Sequence, residues 1–240
     1  MNMNLFNVSI FGGTNVSHAS LAEKLKRYWW GIRHRSDDIR FSIAAIVQIK
    51  IDDKYLLVMG NRIKKYQPVG GVLKFYPDAQ TSLEACEMKS DNMFSPDEDN
   101  KDDLRIQIPG KHLVRFLTWY ESGKQRELDP SREFFEELVS PGHLSAEEFP
   151  HPSFQHLGRR STTIEKSDYT QGYECRIAEI FKLVPTPKQA VALRNLLEAN
   201  NDTILHWATA ETIKAHGVVL KKQTDANIAE TAEWIVSPAT

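Results

Sequence analysis

Apolar and polar residues alternate strictly from Ile43 through Ala45, Val47 and Ile49 to Ile51. A period of two is the mark of a strand with one buried face. Asp52-Asp53 supplies a turn, and Tyr55 to Met59 is expected as the returning strand. Leu104, Ile106 and Ile108 alternate with Arg105 and Gln107, which predicts a short strand ended by Pro109-Gly110. Phe154 to Thr163 and the β-rich run Tyr173 to Val184 are read as further strands, the second a central one. Elsewhere the period is helical. Leu21 to Trp30 can form a helix with Leu21, Leu25 and Tyr28 on one side; Trp29 and Trp30 at its end suit either the core or a docking surface. His112 to Glu121 carries Leu113, Phe116, Leu117 and Tyr120 on one face, with Gly123 as its stop. Thr186-Pro187 opens a helix with the stripe Ala190, Leu193, Leu196 and Leu197. A last helix is expected from about Thr209 to Gly217, and Trp234-Ile235-Val236 offers a final packing segment.

One helical stretch differs in chemistry. Asp129-Pro130-Ser131-Arg132-Glu133-Phe134-Phe135-Glu136-Glu137-Leu138 begins with a good N-cap and a proline suited to the first helical position. Phe134 and Leu138 can anchor it in a core. Glu133, Glu136 and Glu137, at i, i+3 and i+4, fall on one face and repel one another. A hard cation would relieve that repulsion, since Mg²⁺ takes carboxylate oxygens, waters and substrate phosphates. The plainer reading is a solvated acidic face. Upstream, Gly60 to Gly71 holds Arg62, Lys64 and Lys65 ahead of Tyr66-Gln67-Pro68-Val69-Gly70-Gly71, whose glycines allow close backbone approach.

Composition adds limits. The 240 residues suit one elaborated domain, and Lys plus Arg number 30 against 32 Asp plus Glu. A formal net charge of −2 gives no general pull toward nucleic acid or membrane, so any polyanion site must be a local basic patch. Cys86 and Cys175 have neither the count nor the spacing of a disulfide framework or zinc site, and a cytoplasmic, reducing compartment is the simplest fit. No apolar run approaches a membrane span, and Met1 to Ala19 lacks the basic start of a signal peptide. Residues 78–103 resemble a mobile insertion, with Asp91, Asp97, Glu98, Asp99, Asp102 and Asp103 among Ser, Asn and Pro.

Arg132-Glu133-Phe134-Phe135-Glu136-Glu137 resembles the metal-binding half of the Nudix box, and Gly70-Gly71 matches the place where that box begins. Three departures stand out. A segment of roughly fifty residues separates Gly71 from the box helix, where loops are usually short. Lys124 stands eight positions before Arg132, where the box has glutamate, with Glu121 and Glu127 nearby as stand-ins. Val139 takes the closing glycine position, and Gly142 follows. This broken arrangement is similar to the SMODS-associated Nudix domain of bacterial anti-phage (CBASS) systems, as are Asp103-Leu104-Arg105, Pro109-Gly110-Lys111 and Pro130-Ser131-Arg132-Glu133-Phe134.

The resemblance implies an α/β fold: a Nudix-type α/β/α sandwich with a mixed β-sheet and an insertion, about 74–120, between the Gly-Gly turn and the box helix. Residues 1–38 would be an N-terminal extension, 39–236 the Nudix-like domain and 237–240 a tail. It further implies Mg²⁺ (or Mn²⁺) on Glu133, Glu136 and Glu137, and a structural role for Arg132. Glu136, Glu137 and Glu174 are the catalytic candidates, with Glu165 a second downstream base. Arg62, Lys65, Arg159 and Arg160 are the candidate phosphate ligands. The expected activity is hydrolysis of a nucleoside diphosphate-linked or related nucleotide in cyclic-oligonucleotide anti-phage signalling. The alternative is a non-catalytic sensor or effector module that binds a (cyclic) nucleotide; the lost box glutamate and the large insertion favour it, the glutamate trio favours the enzyme. A pure scaffold leaves the trio unexplained. Implied partners are a nucleotide ligand and cyclic-oligonucleotide signalling components, with a homodimer left open.

Overall fold

The computed structural model describes residues 21–61, 63–91, 101–167, 171–199, 203–219, 222–223 and 226–237. Arg62, the acidic residues Asp97, Glu98 and Asp99, and residues 1–20 and 238–240 lie outside the described residues. In chain order the elements begin with α1 (Leu21–Arg33), β1 (Asp38–Gln48), β2 (Lys50–Ile51), β3 (Lys54–Met59) and β4 (Tyr66–Val72). There follow α2 (Gln80–Glu84), β5 (Lys89–Ser90), β6 (Arg105–Pro109), α3 (Leu113–Glu121) and α4 (Ser131–Phe134). The remainder are β7 (Phe154–Ser161), β8 (Glu165–Ser167), β9 (Gly172–Leu183), α5 (Pro187–Ala199), β10 (Leu205–Thr209), α6 (Ala210–Lys214), β11 (Val218–Val219), β12 (Lys222–Gln223) and α7 (Glu233–Val236). Among the described residues no helix is long and apolar enough to cross a membrane.

β1 is the hub of a mixed sheet. It runs parallel to β9 from Ile39↔Tyr173 to Gln48↔Lys182, so the two strands expected to share a sheet do so. Its other edge is shared in tandem: Ser42 to Asp38 pair antiparallel with β6, and Ala44 to Val47 pair antiparallel with β4. β3 continues the sheet beyond β4, and β10 beyond β3. The turn expected at Asp52-Asp53 forms, with Asp52 at φ 54°.

Alternation along β1 sorts side chains onto two faces. Ile39, Phe41, Ile43 and Ala45 enter a core with Ile106, Leu113, Phe116, Tyr120 and Ile177. Val47 joins Phe134, Leu138, Phe149 and Leu193, so α3, α4 and α5 all cover that face. Ile46 points oppositely, into a cluster with Ile180, Ile213, Ile228 and Ile235 that seats α6 and α7. Helices thus cover both faces of a mixed sheet, an α/β/α sandwich as expected.

Two expectations are corrected. The segment 78–103 was expected to be loose throughout, but Ala79, Leu83 and Cys86 recur at helical spacing and are buried at 0%, 0% and 1% exposure. Asp91 is buried too, against Arg40. The insertion also completes the main sheet, because β6 lies against β1. The first helix extends to Arg33 and docks on α3 through Arg27 and Glu121, while Trp30 packs on the core and Trp29 stays exposed.

Candidate functional site

The acidic segment is held from below. Phe134 and Leu138 are both fully buried and fix which way the other side chains face. The helix starts one residue later than expected: Pro130 precedes the first turn, and Asp129 Oδ1 accepts the Ser131 N–H at 2.9 Å. After α4 the backbone widens into a π-helical turn, Phe135–Val139, closed by Ser140 N–H to Phe135 O at 2.7 Å. Such turns recur at functional sites.

Arg132 ties this segment to the sheet. Its guanidinium donates to Glu127 at 2.8 and 3.0 Å and to the Val72 carbonyl at 2.9 Å. It also meets Glu133 at 2.8 Å and Glu136 at 3.1 Å. Burial disfavours its charge, but the bond to Glu127 and the charges of Glu133, Glu127 and Glu136 outweigh that and raise its pKa. Glu127, which also accepts the Lys74 backbone N–H at 2.9 Å, therefore supplies the ion-pair partner of Arg132, while Lys124 is exposed and Glu121 faces Arg27 and Arg159.

Gly70 and Gly71 sit inside β4 rather than in a turn. Gly70 has φ 138°, and a Cβ there would meet the Ala45 carbonyl at 2.1 Å. At Gly71 a Cβ would fall 2.4 Å from the Glu133 carboxylate. The backbone is bare where the acidic segment presses against it. Gly70 N–H donates to Glu137 Oε2 at 2.8 Å. Burial pushes the Glu137 carboxyl up to about 8, against the pull of that bond and with help from the Glu133 and Glu136 charges. Burial raises Glu133 as well, with Arg132 opposing and Glu136 reinforcing.

All three glutamates line one cavity of about 710 Å³, a size suited to a small-molecule ligand. Its floor is the face of β1 bearing Ser42, Ala44 and Ile46, and its other walls include Ile63, Lys74, Arg105, Arg176 and Trp234. Carboxylate-only donors suit a hard divalent cation. Among the described residues no three His, Cys, Asp or Glu groups are gathered into a ready metal cluster. Glu136 is drawn to Arg132 and Glu137 to Gly70, and an ion would compete with those contacts.

The other sequence candidates lie elsewhere. Glu174 pairs with Arg40 outside the cavity, and Glu165 is exposed opposite it on β8. Arg159 is bound to Glu179 at 2.6 Å and Glu121 at 3.2 Å, and Arg160 donates to the Ser237 carbonyl. Neither arginine lines the cavity, nor does Lys65. Sequence reasoning does not single out Ser42, Arg105, Arg176 or Trp234 as site residues. The available signal was phase: Arg105 alternates with Leu104 and Ile106, and Arg176 with Cys175 and Ile177, so both point away from the core.

The sequence model described as the SMODS-associated NUDIX domain matches residues 38–236. The chain belongs to that family. The match takes in the whole sheet and the acidic segment and leaves α1 outside this Nudix domain. No curated protein matches the chain. Among solved structures, the crystal structure of a NUDIX-family hydrolase from Clostridium perfringens is similar at 15% identity and a TM-score of 0.22, over 82% of this chain and 91% of that one.

Proposed function

We propose that this Nudix-family chain hydrolyses a nucleotide at a diphosphate linkage, with Glu133, Glu136 and Glu137 holding Mg²⁺ or Mn²⁺. The observation that carries this is the convergence of the three glutamates, two of them substantially buried, on one nucleotide-sized cavity. A bound ion would supply charge neutralisation at the diphosphate and activation of water. The protein's own part is positioning and proton transfer. Arg132 fixes the acidic segment to Val72 and to Glu127. The bare backbone of Gly70-Gly71 brings the carboxylates against the sheet. Glu137, which lines the cavity, is the proposed acceptor of a proton from water. Glu174, held by Arg40, has no part in this reading.

The family's association with SMODS enzymes supports extending the proposal to cyclic-oligonucleotide anti-phage signalling in the cytoplasm. One observation favours a second reading, nucleotide binding without cleavage: Glu136 and Glu137 already have partners, and no ready metal cluster is present among the described residues. Incubation with a nucleotide panel in Mg²⁺ or Mn²⁺, read by product chromatography, separates the two. Turnover lost in Glu136→Gln/Glu137→Gln supports hydrolysis. Saturable binding with no product supports the sensor.

A further inference from the structure

The first helix presents apolar side chains outward. Leu25, Tyr28, Trp29 and Ile32, at i, i+3, i+4 and i+7, share one stripe of α1. They are 61%, 59%, 56% and 76% exposed. The side that faces the domain carries Arg27, Trp30, Gly31 and His34. Arg27 pairs with Glu121, Gly31 lies against the Gly110 carbonyl, and buried His34 meets the Tyr173 ring edge-on at 4.4 Å. The helix thus buries its more polar side and leaves most of its apolar side in water, where an amphipathic helix ordinarily does the reverse. Elsewhere among the described residues, large exposed apolar side chains such as Ile63, Tyr76 and Val191 stand on separate segments. Scattered ones are ordinary, whereas a contiguous stripe marks an interaction surface.

The stripe is edged with cations. Lys26 and Arg33, seven residues apart, lie along one flank, and Arg35 follows the helix end. All three are exposed, and among the described residues none forms an ion pair. Lys26 lies 4.6 Å from the Trp30 ring and Arg33 5.5 Å from the Trp29 ring. This charge decides between occupants. If two copies paired through antiparallel α1 helices, like flanks would meet, and Lys26 of each copy would face Arg33 of the other. A surface with fixed negative charge accepts the same rim favourably. An anionic bilayer offers both partners at once, phosphates for the cations and an apolar layer just beneath for the stripe. Trp and Tyr favour that boundary. The helix is amphipathic and only weakly hydrophobic overall, with Lys and Arg beside Trp, Leu and Ile, as in helices that lie at a membrane surface. At 13 residues it is too short to cross a bilayer.

We propose that α1 is a peripheral membrane anchor. It lies in the headgroup layer of an anionic bilayer, with Leu25, Tyr28, Trp29 and Ile32 inserted and Lys26, Arg33 and Arg35 against lipid phosphates. Four inserted side chains and three cations give reversible, salt-sensitive attachment. No residue of α1 lines the glutamate cavity, so the anchor is independent of the chemistry there.

The test is flotation of the full chain with vesicles of equal parts phosphatidylglycerol and phosphatidylcholine, against vesicles of phosphatidylcholine alone. The wild type should float with the anionic vesicles, stay behind with the neutral ones, and be released by high salt. Arg33→Gln should weaken partitioning roughly fivefold, as expected for one cation near an anionic surface. Trp29→Ser/Ile32→Ser should weaken it about tenfold or more with an unchanged melting temperature, since both side chains stand in water. Flotation with neither vesicle, equal flotation with both, or binding that survives Trp29→Ser/Ile32→Ser would each overturn the anchor. Where flotation fails, a dimer in sedimentation that the double variant breaks assigns the stripe to a second copy. A lower melting temperature of that variant assigns it instead to another segment of the same chain.

Discussion

A buried carboxylate and a half-buried one meet opposite fates in this molecule. Glu179, on β9, faces the α3 side of the sheet. It accepts the Tyr120 hydroxyl at 2.6 Å and Arg159 at 2.6 and 2.8 Å, with His156 Nε2 at 2.8 Å. Arg126 and Arg159 also lie over the Tyr120 ring, at 4.1 and 4.7 Å. Burial alone would raise its pKa, yet His156, Arg159 and Tyr120 together push it down to about 2. Glu137 has one N–H bond and two like-charged neighbours, and it is pushed up to about 8. The difference teaches where to look for chemistry. A buried charge that the protein completes is part of the frame; one left short of compensation, in a cavity, is set up for a ligand that brings the missing charge.

The largest expected effect tests the frame. Glu179→Ala would leave Arg159, Tyr120 and His156 without their acceptor, and should cost about 3–5 kcal/mol in denaturant unfolding. The pH dependence has a definite sign. Glu179 falls from 4.5 to about 2 on folding, so its stabilisation is complete above 4.5 and disappears as pH drops toward 2. Glu179→Gln should flatten that acid limb. An unchanged acid limb in the glutamine variant would mean that Glu179 is not held as described.

The two glycines sharpen the contrast. Gly70→Ala forces a Cβ into the Ala45 carbonyl at φ 138°, and should lose at least about 1–3 kcal/mol of stability from backbone strain. In Gly71→Ala the nearest atoms are those at the end of the Glu133 side chain, which is flexible and can swing aside. It should melt near the wild type but lose any response to metal. Equal destabilisation by both variants would show that the Gly71 contact is structural rather than a feature of the site.

Much of the frame was legible because hydrophobic period is a local property. The strands around Ile43, Ile106 and Ile177 and the buried face of α3 follow from spacing alone. The acidic segment was legible for the same reason, since all three glutamates and their anchors lie within six residues. Pairing between strands was not local. Nothing near Arg176 says that Ser42 and Arg105 lie beside it; that required β1 to share one edge between β4 and β6. Arg159 read as a surface phosphate ligand because its partners, Glu179 and Glu121, are distant in sequence. The π-helical turn carries no such distinctive pattern: Phe135 to Val139 fits an α-helix equally well by period.

An effect of similar size is expected from the ion. If the trio binds Mn²⁺, stability should rise by about 2.7 kcal/mol once the free ion reaches a hundred times its Kd. Thermal melts across a Mn²⁺ titration measure it. A rise shared by Glu136→Gln/Glu137→Gln would place the ion somewhere else.

The smallest effect belongs to that same double variant without metal, and its direction is informative. Both substitutions remove like charge from one helical face, which favours the variant by a few tenths of a kcal/mol. Glutamine at 136 weakens the contact to Arg132 at 3.1 Å, but that contact is on an exposed side chain and Arg132 keeps Glu127 and Glu133. At 137 the amide oxygen can still accept the Gly70 N–H, and a neutral group is easier to bury there. The net change should be neutral or mildly stabilising, within about 0.5 kcal/mol near pH 4.5. The gain should grow as pH rises from about 4.5 to about 8, because over that range the unfolded chain has released the Glu137 proton and the folded chain still holds it, and should level off above about 8. Paired denaturant melts at pH 4.5 and pH 9 read both values. Clear destabilisation at both would mean that the trio is already compensated without an ion, in the way Glu179 is, and the contrast between the two carboxylates would fail.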